Sequence, residues 1–320
     1  MSSRTYHLRR SLAGIAVLFT LVVVSAALSP SFRSVLNLSN ILVQASPLAL
    51  VALGETLPIL TEGIDLSVGS VISLATVLVA TLSGHGLVWA IVAAVAMGAA
   101  VGLVNGIGVT VGRINPLIMT LATMTLVAGV ALAILNQPGG TVPLGFENAM
   151  YAEVGVFSIP MAVMFVGMGV LAYLTLFTRF GRQLYATGYH EERARVNGIA
   201  VHRVKIMAYV ISGVLASVAG IVLTGSLGSG DPNSGLPYTL TAIAAVVIGG
   251  TTLAGARGTV VGSVVGALVI SVIANMLNQL NVNPMFQDVA QGILMIIALL
   301  AYLVPTVQAW RTRRHQEVSP

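Results

Sequence analysis

The chain of 320 residues has no cysteine, a single lysine and little charge of either sign, with Asp, Glu, Lys and Arg together making up 8% of it. Without cysteine there is no disulfide framework, no thiolate nucleophile and no cysteine-based zinc or iron–sulfur site. The lysine, Lys205, lies between Val204 and Ile206. A Walker A loop needs Gly-Lys-Ser/Thr to cradle phosphates, so the chain cannot bind ATP by that route, and any ATP dependence must come from another subunit. The zinc helix H-E-x-x-H, the elbow G-x-S-x-G and the EF-hand loop are all missing. The five histidines, His7, His85, His190, His202 and His315, are scattered over termini and loops. No metal site and no catalytic residues are expected from such a pattern.

What the chain has in quantity is apolar surface. Hydrophobic residues make up 56% of it and the mean hydropathy is +0.95, too little polar surface to coat a soluble globule. Residues 66–112, 206–230 and 258–287 contain no Asp, Glu, Lys or Arg. Each can hold at least one helix of the roughly 20 apolar residues that cross a bilayer. These runs are apolar on every face, whereas a membrane β-barrel needs alternation, so an all-α integral membrane protein is expected. Its ten spans are expected near 12–28, 40–60, 66–83, 88–111, 116–135, 160–178, 206–227, 239–254, 258–278 and 288–304 in one domain, 1–320.

Basic residues set the orientation, because they stay on the cytoplasmic side. With the amino terminus inside, the inner segments collect every Lys and Arg except Arg33. The formal charge of +5 therefore reports topology rather than nucleic-acid affinity. Both termini, including a tail at 305–320, are expected in the cytoplasm. Residues 9–28 also have the layout of a signal peptide, but the apolar stretch is long for that role and is taken as a retained first span. Trp89 and Trp310 fall at membrane edges, where an indole keeps its N–H wet.

Gly98, Gly102 and Gly106 recur every four residues in the fourth span, and Gly258, Gly262 and Gly266 where the ninth begins. Small residues at this spacing form a groove for a neighbouring backbone, so helix packing is expected, with a sliding surface for gating as the alternative. The segments NPLIMTLATM at 115 and NPMFQDVAQG at 283 are five spans apart and hint at an inverted repeat.

Three polar features interrupt the apolar chain. TEGIDLSVGS, 61–70, sits between the second and third spans, with Gly63 suited to the C′ position of one helix and Asp65 to the N-cap of the next, reaching the N–H near Ser67 or Val68. Glu55 lies inside the second span, near the helix break expected at Pro58; a carboxyl there is costly and marks function unless it reaches water or a donor. A proton relay through Glu55, Glu62 and Asp65, in a secondary transporter, is the alternative reading. The segment 181–205 is the large polar stretch. It reads as short helices punctuated by Gly188 and Gly198, with Glu191 and Glu192 at a helix start and Arg195 placed to pair with Glu191. Either it is a basic loop that only signals topology, or it is a docking surface. The outer connections, 136–159 and 228–238, are too small to enclose a polar pocket of their own, so a separate soluble protein is expected to capture a dilute solute.

TEGIDLSVGS, GRQLYATGYHEERARVNGIAVHRVKIMAYVISGVLASVAG at 181–220 and YTLTAIAAVVIGGTTLAGARGTVVGSVVGAL at 238–268 resemble the membrane permeases of bacterial ABC importers for sugars such as ribose, xylose and galactose. The resemblance runs from about residue 37 to 304. It implies a ten-span permease with a fold like the vitamin B12 importer, in the bacterial inner membrane, working as a dimer with a second copy or a related permease. Its partners would be cytoplasmic ATPase subunits, which bind the ATP, and a periplasmic sugar-binding protein. Coupling to the ATPase would fall on Gly188, Glu191, Glu192, Ala194, Arg195, Asn197, Gly198 and Ile199, and binding-protein docking on Asp231 and Pro232. The sequence departs from the family at three positions: Glu62 and Ala256 stand where glycine is common, and His190 where Asn is common.

Overall fold

The computed structural model describes residues 3–154 and 157–283 and five further positions between 286 and 293, with backbone alone for 3–13 and 153–154. Helix α1 (Ser3–Leu28) and a 3-10 turn lead to α2 (Val35–Leu60), α3 (Val68–Leu82), α4 (Leu87–Thr110), α5 (Pro116–Ile134) and the short α6 (Leu144–Tyr151). A two-residue hairpin, β1 (Glu153–Val154) with β2 (Phe157–Ser158), follows in antiparallel register. Then come α7 (Ile159–Phe177), α8 (Arg179–Tyr189), α9 (Glu191–Val196), α10 (Val201–Leu227), α11 (Tyr238–Ile248) and α12 (Val260–Gln279). Among the described residues, seven helices are long and apolar enough to cross a membrane: α2, α3 with the turn after it, α4, α5, α7, α10 and α12. The protein is a helical, multi-pass membrane protein.

Burial divides these helices by role. From Ala45 to Leu60 every residue of α2 is buried, and α10 packs along it while also touching α3 and α4. By contrast α4 and α5 bury only 22% of their apolar windows, which leaves their outer faces to lipid, a solvent that satisfies apolar side chains as well as protein does. Helix α2 is therefore the axis of the bundle. It keeps Pro47 and Pro58 inside a continuous helix, so the break expected at Pro58 comes instead after Leu60.

The expected span 239–254 is corrected. Helix α11 stops at Ile248, and its 11 residues rise about 16 Å, half the roughly 30 Å of a bilayer core. Residues 249–259 continue as irregular chain, buried or half-buried except at Ala254 and Arg257. Backbone without helix survives at such depth only where protein supplies its partners. Here the amide of Thr251 donates to Val246 O (3.1 Å), that of Thr252 to Arg257 O (2.8 Å) and that of Ala256 to Leu60 O (2.9 Å). All but four positions of the expected span at 288–304, the tail at 305–320 and half of NPMFQDVAQG lie outside the described residues.

The first glycine stripe lies against α10. A Cβ at Gly98 or Gly102 would overlap the α10 backbone at Gly213 or Tyr209, and one at Gly106 would sit 2.7 Å from Ile206 Cα. In the second stripe Gly262 and Gly266 press against Gly249 and Ala245. Gly258 does not belong with them: it precedes α12, with φ at 148°, where it serves the turn rather than a helix face.

Candidate functional site

At the end of α2 the chain must reverse into α3 while keeping its backbone polar groups bonded. It does so with a Schellman arrangement: the amide of Glu62 donates to Ile59 O (3.1 Å) and that of Gly63 to Pro58 O (2.9 Å). The left-handed residue is Glu62, with φ at 63°, so the expected C′ role of Gly63 passes to its neighbour. Gly63 is needed for a different reason, since a Cβ there would collide with the Tyr209 hydroxyl. Asp65 then accepts at Oδ1 from the Ser67 amide (3.0 Å) and hydroxyl (2.6 Å) and from Asn105 Nδ2 (3.2 Å). The N-cap of α3 is Ser67 rather than the expected Asp65, so the carboxylate fixes the turn that leads into α3.

Glu55 and Asp65 are both buried and joined directly, Glu55 Oε1 accepting from the Asp65 amide at 2.9 Å. Asn105 of α4 extends the network to α5, where Thr123 Oγ1 donates to Asn105 Oδ1 at 2.7 Å. On the α10 side stand the buried Tyr209 and Ser212, with the Ser212 backbone packed against Gly54 beside Glu55. Glu62 does not join this cluster: its side chain is exposed and lies over Gly255. The structure thus brings two of the three relay carboxylates together and leaves the third outside. Asn105, Tyr209, Ser212 and Thr123 were missed from the sequence; a lone amide in the charge-free run 66–112 was the available signal for Asn105.

The segment 181–205 meets this junction directly. Gly188 lies inside α8 rather than ending it, and a Cβ there would overlap Leu60 O and come within 2.9 Å of the Ala256 amide nitrogen. Three backbones thus converge at Gly188: α8, the end of α2, and the 249–259 loop. Tyr185 adds a second tie, its hydroxyl donating to Gly258 O at 2.9 Å. Burial pushes that phenol up to about 12, so it stays a donor at any physiological pH. Ala256 adopts φ of 57°, so two of the positions where glycine is common in the family, Glu62 and Ala256, are left-handed here.

Helix α9 begins at His190, whose Nδ1 accepts from the Arg193 amide at 3.4 Å, standing in for the Asn common there. It ends in a second Schellman arrangement, Gly198 (φ 80°) donating to Arg195 O and Ile199 to Ala194 O. The expected Glu191–Arg195 pair is replaced. Arg195 reaches both oxygens of Glu192 at 2.8 Å, one turn back, and that carboxylate holds the exposed guanidinium above its ordinary value. Glu191 instead pairs with Lys205 on the first turns of α10. Of the remaining candidates, Ala194 is buried, whereas Asn197 is exposed and bonds Arg193 O through its own amide. At the opposite end of the bundle Pro232 is buried, and Asp231 Oδ1 accepts from the Asn233 amide at 2.8 Å. That stretch exposes Asn233, Leu236 and Pro237 instead.

A family model described as branched-chain amino acid transport system / permease component matches residues 37–299. The chain belongs to that permease family. Among similar proteins, the ribose import permease of Escherichia coli K12 is 42% identical over 293 residues, covering 88% of this chain and 90% of the relative. The ribose import permease of Bacillus subtilis 168 is 42% identical over 291 residues, covering 88% and 89%. The galactose/methyl galactoside import permease of E. coli K12 is 33% identical over 305 residues, covering 88% and 91%. No solved structure matches the chain. The matched region takes in the α2–α3 junction, the 181–205 segment and the 249–259 loop.

Proposed function

We propose that this protein is the membrane permease subunit of an ATP-binding cassette importer for a monosaccharide or related small polar solute. Membership of the permease family, with ribose and galactose import permeases among its relatives, supports the transport class. The convergence at Gly188 is the observation that carries the mechanism. A partner ATPase pressing on α8 and α9 displaces, through that glycine contact, both the end of the central helix α2 and the loop that completes α11. The Glu191–Lys205 pair carries the same displacement into α10. Nucleotide and solute then drive the change only through their differential affinities for its two states.

The finer assignments belong to the same reading. The protein has ten spans and a fold like the vitamin B12 importer: α1, the seven long helices, α11 with its loop, and 288–304. It sits in the bacterial inner membrane with both termini cytoplasmic, so the Gly188 junction faces the cytoplasm. It pairs with a second permease, receives solute from a periplasmic binding protein, and leaves ATP binding and hydrolysis to a separate subunit.

The test is uptake of labelled ribose and galactose into vesicles. Import that requires ATP, the ATPase and a binding protein, and that survives a protonophore, is the expected result. Uptake by this chain alone under a proton gradient would overturn the proposal in favour of a secondary transporter.

A further inference from the structure

A cavity of about 600 Å³ opens at the end of α2 remote from the Gly188 junction. From Gln44, on its wall, to Leu60 is sixteen residues of helix, about 24 Å of rise. The cavity and the junction therefore occupy opposite sides of a bilayer-sized core. Its polar wall is formed by Asn40 and Gln44 of α2, Tyr151 of α6, Ser158 of β2, Ser226 of α10 and Tyr238 of α11. The outer connection 136–159, too small for a pocket by itself, thus closes one over the helix ends.

Three observations point to a ligand. First, Asn40 and Gln44 are four residues apart, on one helix face, and both are exposed with no hydrogen-bond partner among the described residues. Unpaired amides on a membrane-spanning helix face a water-filled path rather than lipid. Second, the Ser158 hydroxyl on the wall is 4% exposed and unpartnered, and a buried hydroxyl without a partner calls for a water or a ligand group. Third, among the described residues no Asp, Glu, Lys, Arg or His lines the cavity. An amino-acid zwitterion would bring two charges into a wall that offers neither a cation nor an anion to pair with them. Each amide instead offers donors and an acceptor together, the pattern that neighbouring hydroxyls of a polyol match, while the tyrosine rings supply apolar surface for its carbon skeleton. The Tyr151 hydroxyl is already committed to Ser226 O, bracing α6 against α10.

We propose that this cavity binds a neutral polyhydroxylated solute and excludes amino acids, with Asn40 and Gln44 reading its hydroxyl pattern and Ser158 completing the polar wall. The inference rests on the importer reading and assigns its outward-facing solute site.

The natural absence of cysteine makes the test direct. Gln44→Cys, in the full importer in proteoliposomes, is exposed to a membrane-impermeant maleimide, with Val170→Cys on the exposed face of α7 as a lipid-facing control. Gln44→Cys is expected to label and Val170→Cys to resist. Saturating D-ribose or D-galactose is expected to slow the labelling several-fold, and L-leucine to leave it unchanged. The double variant Asn40→Ala/Gln44→Ala, assembled with its ATPase, is expected to lower uptake about tenfold by raising KM, as the loss of two modest hydrogen-bonding groups predicts. Failure of Gln44→Cys to label, protection by leucine alone, or no protection by either sugar would overturn the cavity assignment. A disulfide between the Gln44→Cys residues of two copies would also do so, by showing the cavity filled by a second permease. Sugar uptake by the wild-type chain alone under a proton gradient would overturn the importer reading itself, whereas normal sugar uptake by the double variant would overturn only the site.

Discussion

Glu62 and Asp65, three positions apart in a chain almost free of charge, do unrelated work. Asp65 organises a turn by accepting from Ser67 and Asn105, and an asparagine oxygen can replace it in that geometry. Asp65→Asn is expected to keep assembly and uptake. Asp65→Ala leaves buried donors unsatisfied, a loss of about 1–3 kcal/mol, and is expected to lower the midpoint of thermal unfolding in detergent. Loss of uptake in a well-assembled Asp65→Asn protein would restore a role for the charge itself. Glu62 is an exposed residue in the left-handed region, a conformation that costs a residue with a Cβ about 1–2 kcal/mol. Glu62→Gly is therefore expected to raise the unfolding midpoint, part of the gain being offset by the flexibility of glycine in the unfolded chain. An unchanged or lower midpoint would show that the Glu62 side chain holds the junction over Gly255.

Helix α4 shows how the surroundings of an element set the sign of one substitution. In helix interiors alanine is preferred to glycine by about 0.8–1.0 kcal/mol. At Gly129 of α5 an added Cβ meets nothing within 4 Å, so Gly129→Ala is expected to be neutral or stabilising. At Gly102 of α4 it would overlap the Tyr209 carbonyl, and α4 must move off α10. Gly102→Ala is expected to lower the unfolding midpoint, and equal midpoints for the two variants would refute the packing role of the stripe. The spacing of Gly98, Gly102 and Gly106 was legible in the sequence because a period near four marks one helix face. The misfit of Gly258 was not, because the same spacing continued past the helix start into a turn. Helix α11 was overextended for a similar reason: residues 249–254 are apolar enough for lipid, and only their bonds to other segments reveal that they leave the helix.

At the scale of the whole molecule, α9 reaches the bundle through the Glu191–Lys205 pair and α8 through the Gly188 contact. Reversing both Glu191 and Glu192 is expected to leave membrane insertion intact while uncoupling ATP hydrolysis from uptake. The exchange Glu191→Lys with Lys205→Glu is expected to recover more coupling than Glu191→Lys alone, because it restores the α9–α10 pair. Equal coupling in the two would remove that pair from the transmission path. By itself the sequence determined that the protein is helical and membrane-spanning, and that TEGIDLSVGS and the 181–205 segment are turns and short helices. Hydropathy, charge and capping act over one or two helical turns, so they can be read along a single chain. The tertiary structure decided that Glu55 and Asp65 meet while Glu62 stands apart, that Glu191 reaches Lys205 instead of Arg195, and that Gly188 joins α8 to Leu60 and Ala256. Those outcomes depend on which backbones approach closely enough to exclude a Cβ, a property of packed helices that no local spacing encodes.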